Sequence, residues 1–430
     1  MKKLLFLSAL MMAVLSFAQF NIHGEIKGYA NQPVLIKIYE NGSQRLIKRV
    51  ETNNQGIFDY KIPQSYTGII TFELSSGGFQ MVADNNPISF KTNLNNSARA
   101  FVYEDGINKQ LEDYKTIEQL YELRDNTLMP LSNFYSTGDK FYHDILDEIS
   151  RINQLELPSI ENQSIRYYLD MQTELSELNT LAQTNADLAK SKSKNHLLND
   201  DEKLENFGFL NPLISVYVTS SLGTAKSREE ASSKIGSALD TLLEDVVVET
   251  PRGQNILSAI IPMLDGNGFK ELSKKYVSQA SVMTCEKTGE LQNILEVQNN
   301  IQVGKKAPNF QLKESKYKSL YDVKSDKKLL VFWASWCPHC INEMPYVKEF
   351  YTDFKKEGGE IIAVSLDMDE NKYKAATKEY EWINYTDLMK WDSPVVKEYG
   401  VMATPTMILL DKDNKILKIG SNVSEFMDSI

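Results

Sequence analysis

The feature that most constrains this chain is an apolar run that ends in a pair of cysteines. Lys328-Leu-Leu-Val-Phe-Trp-Ala334 has the length and composition of a buried strand. It leads through Ser335 and Trp336 into Cys337-Pro-His-Cys340, after which Pro338 to Lys356 carries helical patterning. A C-x-x-C between a strand and a helix reads as a redox motif. Two sulfurs at this spacing on a helix start can join without large backbone movement. The first lies at the positive end of the helix dipole, beside N–H groups that have no partner within the helix. That favours thiolate, the attacking form. Cys337 is therefore expected to be the nucleophile. Cys340, one turn further in, is expected to be the resolving thiol, and the two to form the redox disulfide.

Other uses of such a pair fit less well. A closed zinc site needs further ligands, and outside the motif the chain offers only Cys285, His23, His143 and His196. Covalent haem attachment needs His after the second Cys, where Ile341 stands. No metal and no cofactor is expected. A structural staple is also a poor reading, because so short a loop restricts the unfolded chain little.

The N-terminus sets the compartment. Lys2 and Lys3 precede the apolar stretch Leu4 to Ala18, with small residues Ser16 and Ala18 before Gln19. This is the pattern of a cleaved secretory leader over residues 1–18. It is shorter than the ~20 residues that span a bilayer. The expected location is periplasmic or secreted. Loss of Lys2 and Lys3 would take the formal charge from −11 to −13, which opposes nucleic-acid binding. Only three cysteines occur in 430 residues, so the exported chain does not rest on a disulfide framework. Cys285 has no evident partner and reads as an inert thiol or as a link between chains.

The chain reads as a multidomain α+β protein. Residues 19–103 form a small β-sandwich-like domain, with strand runs at Val34–Tyr39, Arg45–Val50, Gly56–Tyr60 and Gly68–Leu74 between turn residues. Residues 104–300 form an all-α region. Leu111, Tyr114, Ile117, Leu120 and Tyr121 repeat at helical spacing, as do Phe141, Ile145, Ile149 and Ile152. Further helices are expected over 165–188, 227–246, 254–263 and 268–280, with the polar stretch 190–201 as a loop. Residues 303–430 alternate strands and helices and end in a hairpin around Asp411-Lys-Asp-Asn414, an α/β domain with a mixed sheet.

With these residues in view, 303–430 resembles the thioredoxin superfamily, most closely its bacterial envelope branch with the reductants of cytochrome c maturation. Three motifs carry the resemblance in order: Val303-Gly-Lys-Lys-Ala-Pro-Asn-Phe310, Trp333 to Cys340, and Met402-Ala-Thr-Pro-Thr-Met-Ile-Leu-Leu-Asp411. It implies a thioredoxin-like fold and a cis Thr404–Pro405 bond facing Cys337. The Thr404 backbone would pair with a substrate peptide strand to strand. Trp336, Pro338, His339, Thr404 and Pro405 would then form the substrate-binding face. Two departures matter. Thioredoxin carries a buried acid where this chain has Val331. The envelope reductants carry one three residues past the second Cys, which here is Glu343. On a helix Glu343 shares a face with Cys340 and could relay its proton. The Pro338-His339 dipeptide is that of the strongly oxidising disulfide-introducing enzyme, and an imidazole beside a thiolate lowers the thiol pKa.

The resemblance implies a thiol–disulfide oxidoreductase acting on exported proteins, as reductant or exchange catalyst. Its partners would be envelope protein thiols and disulfides and a membrane electron-transfer partner, with no nucleic acid and no metal. The alternatives are a disulfide-introducing oxidase and a non-enzymatic envelope binding protein with a vestigial C-terminal domain. A thiol peroxidase fits less well, since Trp333 to Trp336 lacks the Thr and Pro that hold a peroxidatic Cys. Gly24-Glu-Ile-Lys-Gly28 and Asn54 to Tyr60 resemble a domain of unknown function found in such exported proteins. That half is expected to be a scaffold, or to hold partners or form a homodimer.

Overall fold

The computed structural model describes residues 19–95, 101–312 and 316–429. The expected leader, residues 1–18, lies outside them. Eight strands come first: β1 (Phe20–Lys27), β2 (Pro33–Glu40), β3 (Ser43–Glu51), β4 (Ile57–Ile62), β5 (Thr67–Leu74), β6 (Gly77–Asp84), β7 (Ile88–Asn93) and β8 (Phe101–Tyr103). They form two four-stranded sheets, ordered β4-β1-β7-β8 and β3-β2-β5-β6, in agreement with the β structure expected of this segment. A helical region follows, and then the mixed sheet of a thioredoxin-like domain. The chain gathers into two compact units. One runs to Gln32 and adds Val50–Thr71 and Phe79–Ser176. The other takes Pro33–Arg49, Phe72–Gly78 and Glu177–Ile430.

In the first unit β1 alternates buried and outward residues, with Phe20, Ile22, Gly24 and Ile26 inside. It pairs antiparallel with β4 and parallel with β7. Gly24 is needed for close approach: a Cβ there would sit 2.4 Å from the Phe58 ring and 2.8 Å from that of Phe90. The helix Gly106–Leu123 is capped by Asp105. It is tied to β6 by the buried Asn108, whose amide accepts from Val82 N–H (2.9 Å) and donates to Val82 C=O (3.0 Å). Those paired bonds satisfy groups that would otherwise be costly to bury.

In the second unit the helices that precede the C-terminal sheet are Ala186–Asn199, Leu210–Leu222, Arg228–Val246, Pro251–Gly266, Lys270–Ser281 and Gly289–Asn300, with a single turn at Lys203–Asn206. The expected loop over 190–201 is a correction: most of it is the helix Ala186–Asn199. Asn185 ends the preceding helix Gln163–Thr184 and caps this one, accepting from Leu188 N–H. Its buried face is Ala189, Ser193 and Leu197, too small and polar to register as an apolar stripe. It packs against Leu210–Leu222, which escaped the periodicity reading because it is apolar nearly all round.

The C-terminal sheet has the order β11-β10-β9-β12-β13, where β9 is Lys327–Trp333, β10 is Gly359–Ser365, β11 is Ile383–Thr386, β12 is Thr406–Asp411 and β13 is Ile416–Gly420. β9 and β11 run parallel to β10, while β12 is antiparallel to both β9 and β13. β9 is buried from Lys328 to Trp333, which explains its unbroken apolar run. Lys328 is accommodated by donating to Asn414 Oδ1 (2.8 Å). The segment before the sheet runs beside β13, with Gly304 N–H donating to Ile416 C=O and Ile416 N–H to Lys305 C=O. Among the described residues no helix is long and apolar enough to cross a membrane.

Candidate active site

β9 delivers the chain to Ala334 at the C-terminal edge of the sheet, and a short turn follows. Cys337 N–H donates to Ala334 C=O (3.2 Å). Cys337 is the extended N-cap residue of the helix Pro338–Lys356, with Pro338 in the first turn where the absent N–H costs nothing. Cys337 is 6% exposed and Cys340 is fully buried. Both are free thiols. Of the two, only Cys337 keeps any solvent exposure.

The surroundings drive the two thiols apart. For Cys337 the largest influence is burial, which acts to raise its pKa. Hydrogen bonding to Thr404, to the backbone of Cys340 and His339 and to the Cys340 side chain outweighs it and holds the thiol below its ordinary value. The visible contact with Thr404 runs from Sγ to the carbonyl oxygen at 3.4 Å. A carbonyl only accepts and so favours the thiol. We assign the lowering to the backbone N–H groups at the helix start, which do stabilise a thiolate. Cys340 is pushed up to about 12, first by burial and then by hydrogen bonding and charge from Cys337.

The other expected site residues divide into groups. The Thr404–Pro405 bond is cis, both residues are half-buried, and Thr404 meets Cys337 through its carbonyl. Trp336, Pro338 and His339 are exposed. Glu343 is half-buried, and its Oε1 accepts from Val423 N–H at 2.6 Å, at the start of the final turn of helix. Cys285 is apart from this group, its sulfur 3.6 Å from Gln254 Nε2.

Sequence reading missed Asp367. It is 1% exposed, two residues beyond the end of β10. Its Oδ1 accepts from Ser335 Oγ (2.6 Å), and its Oδ2 from Ser335 N–H (3.1 Å) and Ser365 Oγ (2.6 Å). Trp336 Nε1 donates to the neighbouring Leu366 C=O (3.3 Å). One buried carboxylate thus holds the turn that carries the first cysteine. The available signal was an acid directly after the apolar run Ile361–Leu366, since strand C-termini in open α/β sheets face their sites.

Comparison with known proteins places this geometry. The family model Redoxin matches residues 302–427. Thiol-disulfide oxidoreductase ResA of Bacillus thuringiensis subsp. konkukian is 36% identical over 123 residues, 28% of this chain and 70% of the relative. ResA of Bacillus subtilis is 33% identical over 122 residues, 28% of this chain and 68% of the relative. Among solved structures, a thiol-disulfide oxidoreductase from Bacteroides fragilis is 27% identical, with 29% of this chain and all of that chain covered at a TM-score of 0.27. The thioredoxin domain of a thiol-disulfide oxidoreductase from Bacteroides vulgatus is also 27% identical, with 30% of this chain and 96% of that one covered at a TM-score of 0.28. Through its C-terminal domain, the chain belongs to the ResA-like thiol-disulfide oxidoreductases of the thioredoxin superfamily.

Proposed function

We propose that the chain reduces or exchanges disulfides in exported proteins through Cys337 and Cys340. The observation that carries this reading is the contrast between the two thiols: one slightly exposed and held below its ordinary pKa, the other fully buried and pushed up to about 12.

The Cys337 thiolate attacks one sulfur of a substrate disulfide. The S–S bond breaks, a Cys337–substrate disulfide forms, and the departing sulfur takes up a proton. Cys340 then loses its proton and attacks the Cys337 sulfur. The internal disulfide forms and the second substrate thiol is released. The substrate is reduced by two electrons and the pair is oxidised by two. A dithiol donor, delivered by a membrane electron-transfer partner, returns the pair to the reduced state. Glu343 is the group proposed to take the Cys340 proton, which a thiol with so high a pKa gives up only to a base nearby. The Thr404 backbone would hold the substrate peptide, and Trp336, Pro338 and His339 would line its path. Residues 1–18 would direct export, 19–103 and 104–300 would be scaffold domains, and 303–430 would carry the chemistry.

Cys337→Ser should abolish turnover of a protein disulfide, and Cys340→Ser should accumulate mixed disulfides visible on non-reducing gels. Full activity in both variants would end this reading. A disulfide-introducing role is the second reading, favoured by the exposed His339 between the two sulfurs.

A further inference from the structure

A buried ion cluster connects the first β-strands to the flank of the cysteine site. Lys37 of β2 is 6% exposed. Its ammonium meets Glu73 Oε2 of β5 at 2.5 Å and also contacts Asp392 Oδ2. Glu73 Oε1 in turn holds Lys390 Nζ at 3.0 Å, and Leu74 C=O accepts from the same ammonium at 3.2 Å. Lys397 closes the set on Asp392 Oδ1 at 2.9 Å. All of these residues lie in the second compact unit. Lys390 Nζ lies 5.8 Å from the centre of the Trp336 ring, within the range of a cation–π contact. The opposite constraint on that ring is the bond from Trp336 Nε1 to Leu366 C=O.

Two features suggest that this cluster does more than stabilise. Buried ion pairs rarely stabilise better than apolar residues of the same size, and their best-attested use is to fix one arrangement among several. The segment that carries Lys390 is also held in an unusual backbone state. Leu388 and Lys390 have φ of +59° and +50°, the left-handed region that residues other than Gly seldom adopt. Strained backbone is kept where its surroundings over-determine it, often at functional sites. Here local bonds hold the backbone, Leu388 N–H to Thr386 Oγ1 (3.1 Å) and Met389 N–H to Asp387 Oδ1 (3.2 Å), while Glu73 and the Leu74 carbonyl hold the Lys390 side chain. Lys37 keeps its proton despite burial, because the hydrogen bonds and charges of Asp392 and Glu73 outweigh desolvation.

We propose that Lys390, clamped by Glu73 and the Leu74 carbonyl, is a positioning residue for Trp336, through which the N-terminal strands tune how the cysteine site receives protein substrates. This rests on the reading that Trp336 lines the path of a protein disulfide to Cys337. The role is one of orientation. Lys390 holds an exposed aromatic ring in one pose, which matters for a folded partner that must lie across it. The first strands thereby become part of the substrate-binding apparatus, although none of their residues reacts.

The test uses the full chain reducing insulin, with dithiothreitol as electron donor. Lys390→Met removes the charge at nearly constant volume. It should raise KM for insulin roughly two- to five-fold, the weight of one cation–π contact, and leave kcat within about two-fold. Trp336 emission, isolated by difference against Trp336→Phe, should change in acrylamide quenching. Lys390→Arg should restore both, and Glu73→Gln should reproduce the Lys390→Met effect from the other side of the contact. Unchanged KM and unchanged Trp336 quenching in Lys390→Met would overturn the proposal. So would a parallel fall in kcat and kcat/KM, which would indicate general damage. Failure of the underlying redox reading would look different, as wild-type chain without insulin turnover.

Discussion

Selective alkylation of the reduced protein follows directly from the contrast between the two thiols. Cys337 lies below its ordinary value of 9.0, and Cys340 is pushed up to about 12. A gap of at least about 3 units makes the thiolate of Cys337 about a thousand times more abundant at pH 7. Intrinsic nucleophilicity works the other way. With a Brønsted slope of about 0.4–0.5 it returns roughly a factor of 20–30 to Cys340. Roughly 30-fold or more remains in favour of Cys337, before the complete burial of Cys340 is considered. The assay is iodoacetamide labelling of the reduced chain in a Cys285→Ser background, with sites assigned by peptide mass. Labelling of Cys337 in Cys340→Ser should pass its half-maximal rate below pH 9, because the thiol is held below its ordinary value. Labelling of Cys340 in Cys337→Ser should still climb about tenfold per pH unit past pH 9, since burial, its first cause of elevation, survives that substitution. Equal labelling of the two thiols at pH 7, or Cys340 labelled first, would refute the reasoning.

Three other outcomes follow from the same site. Asp367→Ala strands the Ser335 N–H and two hydroxyls. It should cost about 2–4 kcal/mol in urea unfolding and slow turnover, whereas a loss under about 1 kcal/mol with full turnover would show that the turn holds itself. Glu343→Gln can still accept from Val423 N–H, so folding should persist. Resolution of the mixed disulfide should slow about tenfold or more if the carboxylate takes the Cys340 proton, and an unchanged rate in stopped-flow would remove Glu343 from the mechanism. His339→Ala should make the potential of the pair more negative if the His339 side chain adds to the support that its backbone gives the Cys337 thiolate; an unchanged potential would confine His339 to its backbone contact.

The parts legible in the sequence were those written in adjacent residues. The strand, turn and helix around Cys337 follow from one apolar run and one proline. The helices Lys140–Asn153 and Arg228–Val246 follow from stripes that bury Ile145 and Ile152, and Leu239 and Leu243. What escaped was either patternless or joined only by folding. Helix Leu210–Leu222 has only the narrow polar stripe Asn211, Ser215 and Thr219 in an otherwise mostly apolar run, and Ala186–Asn199 has no large apolar face. Asp367 acquires its role because β10 lies beside β9, bringing Ser365 level with Trp333 and so placing the carboxylate under Ser335. Lys37, Glu73 and Asp392 lie far apart along the chain, and nothing local in sequence marks them as partners.

The most direct test of the proposed role is the reduction potential of the Cys337–Cys340 pair, equilibrated against glutathione and followed by Trp fluorescence. Trp336 adjoins Cys337, and Trp333 lies in the core beneath it. A role in reducing exported disulfides predicts a value near about −250 mV or lower. A value near about −120 mV would contradict it and identify a disulfide-introducing oxidase.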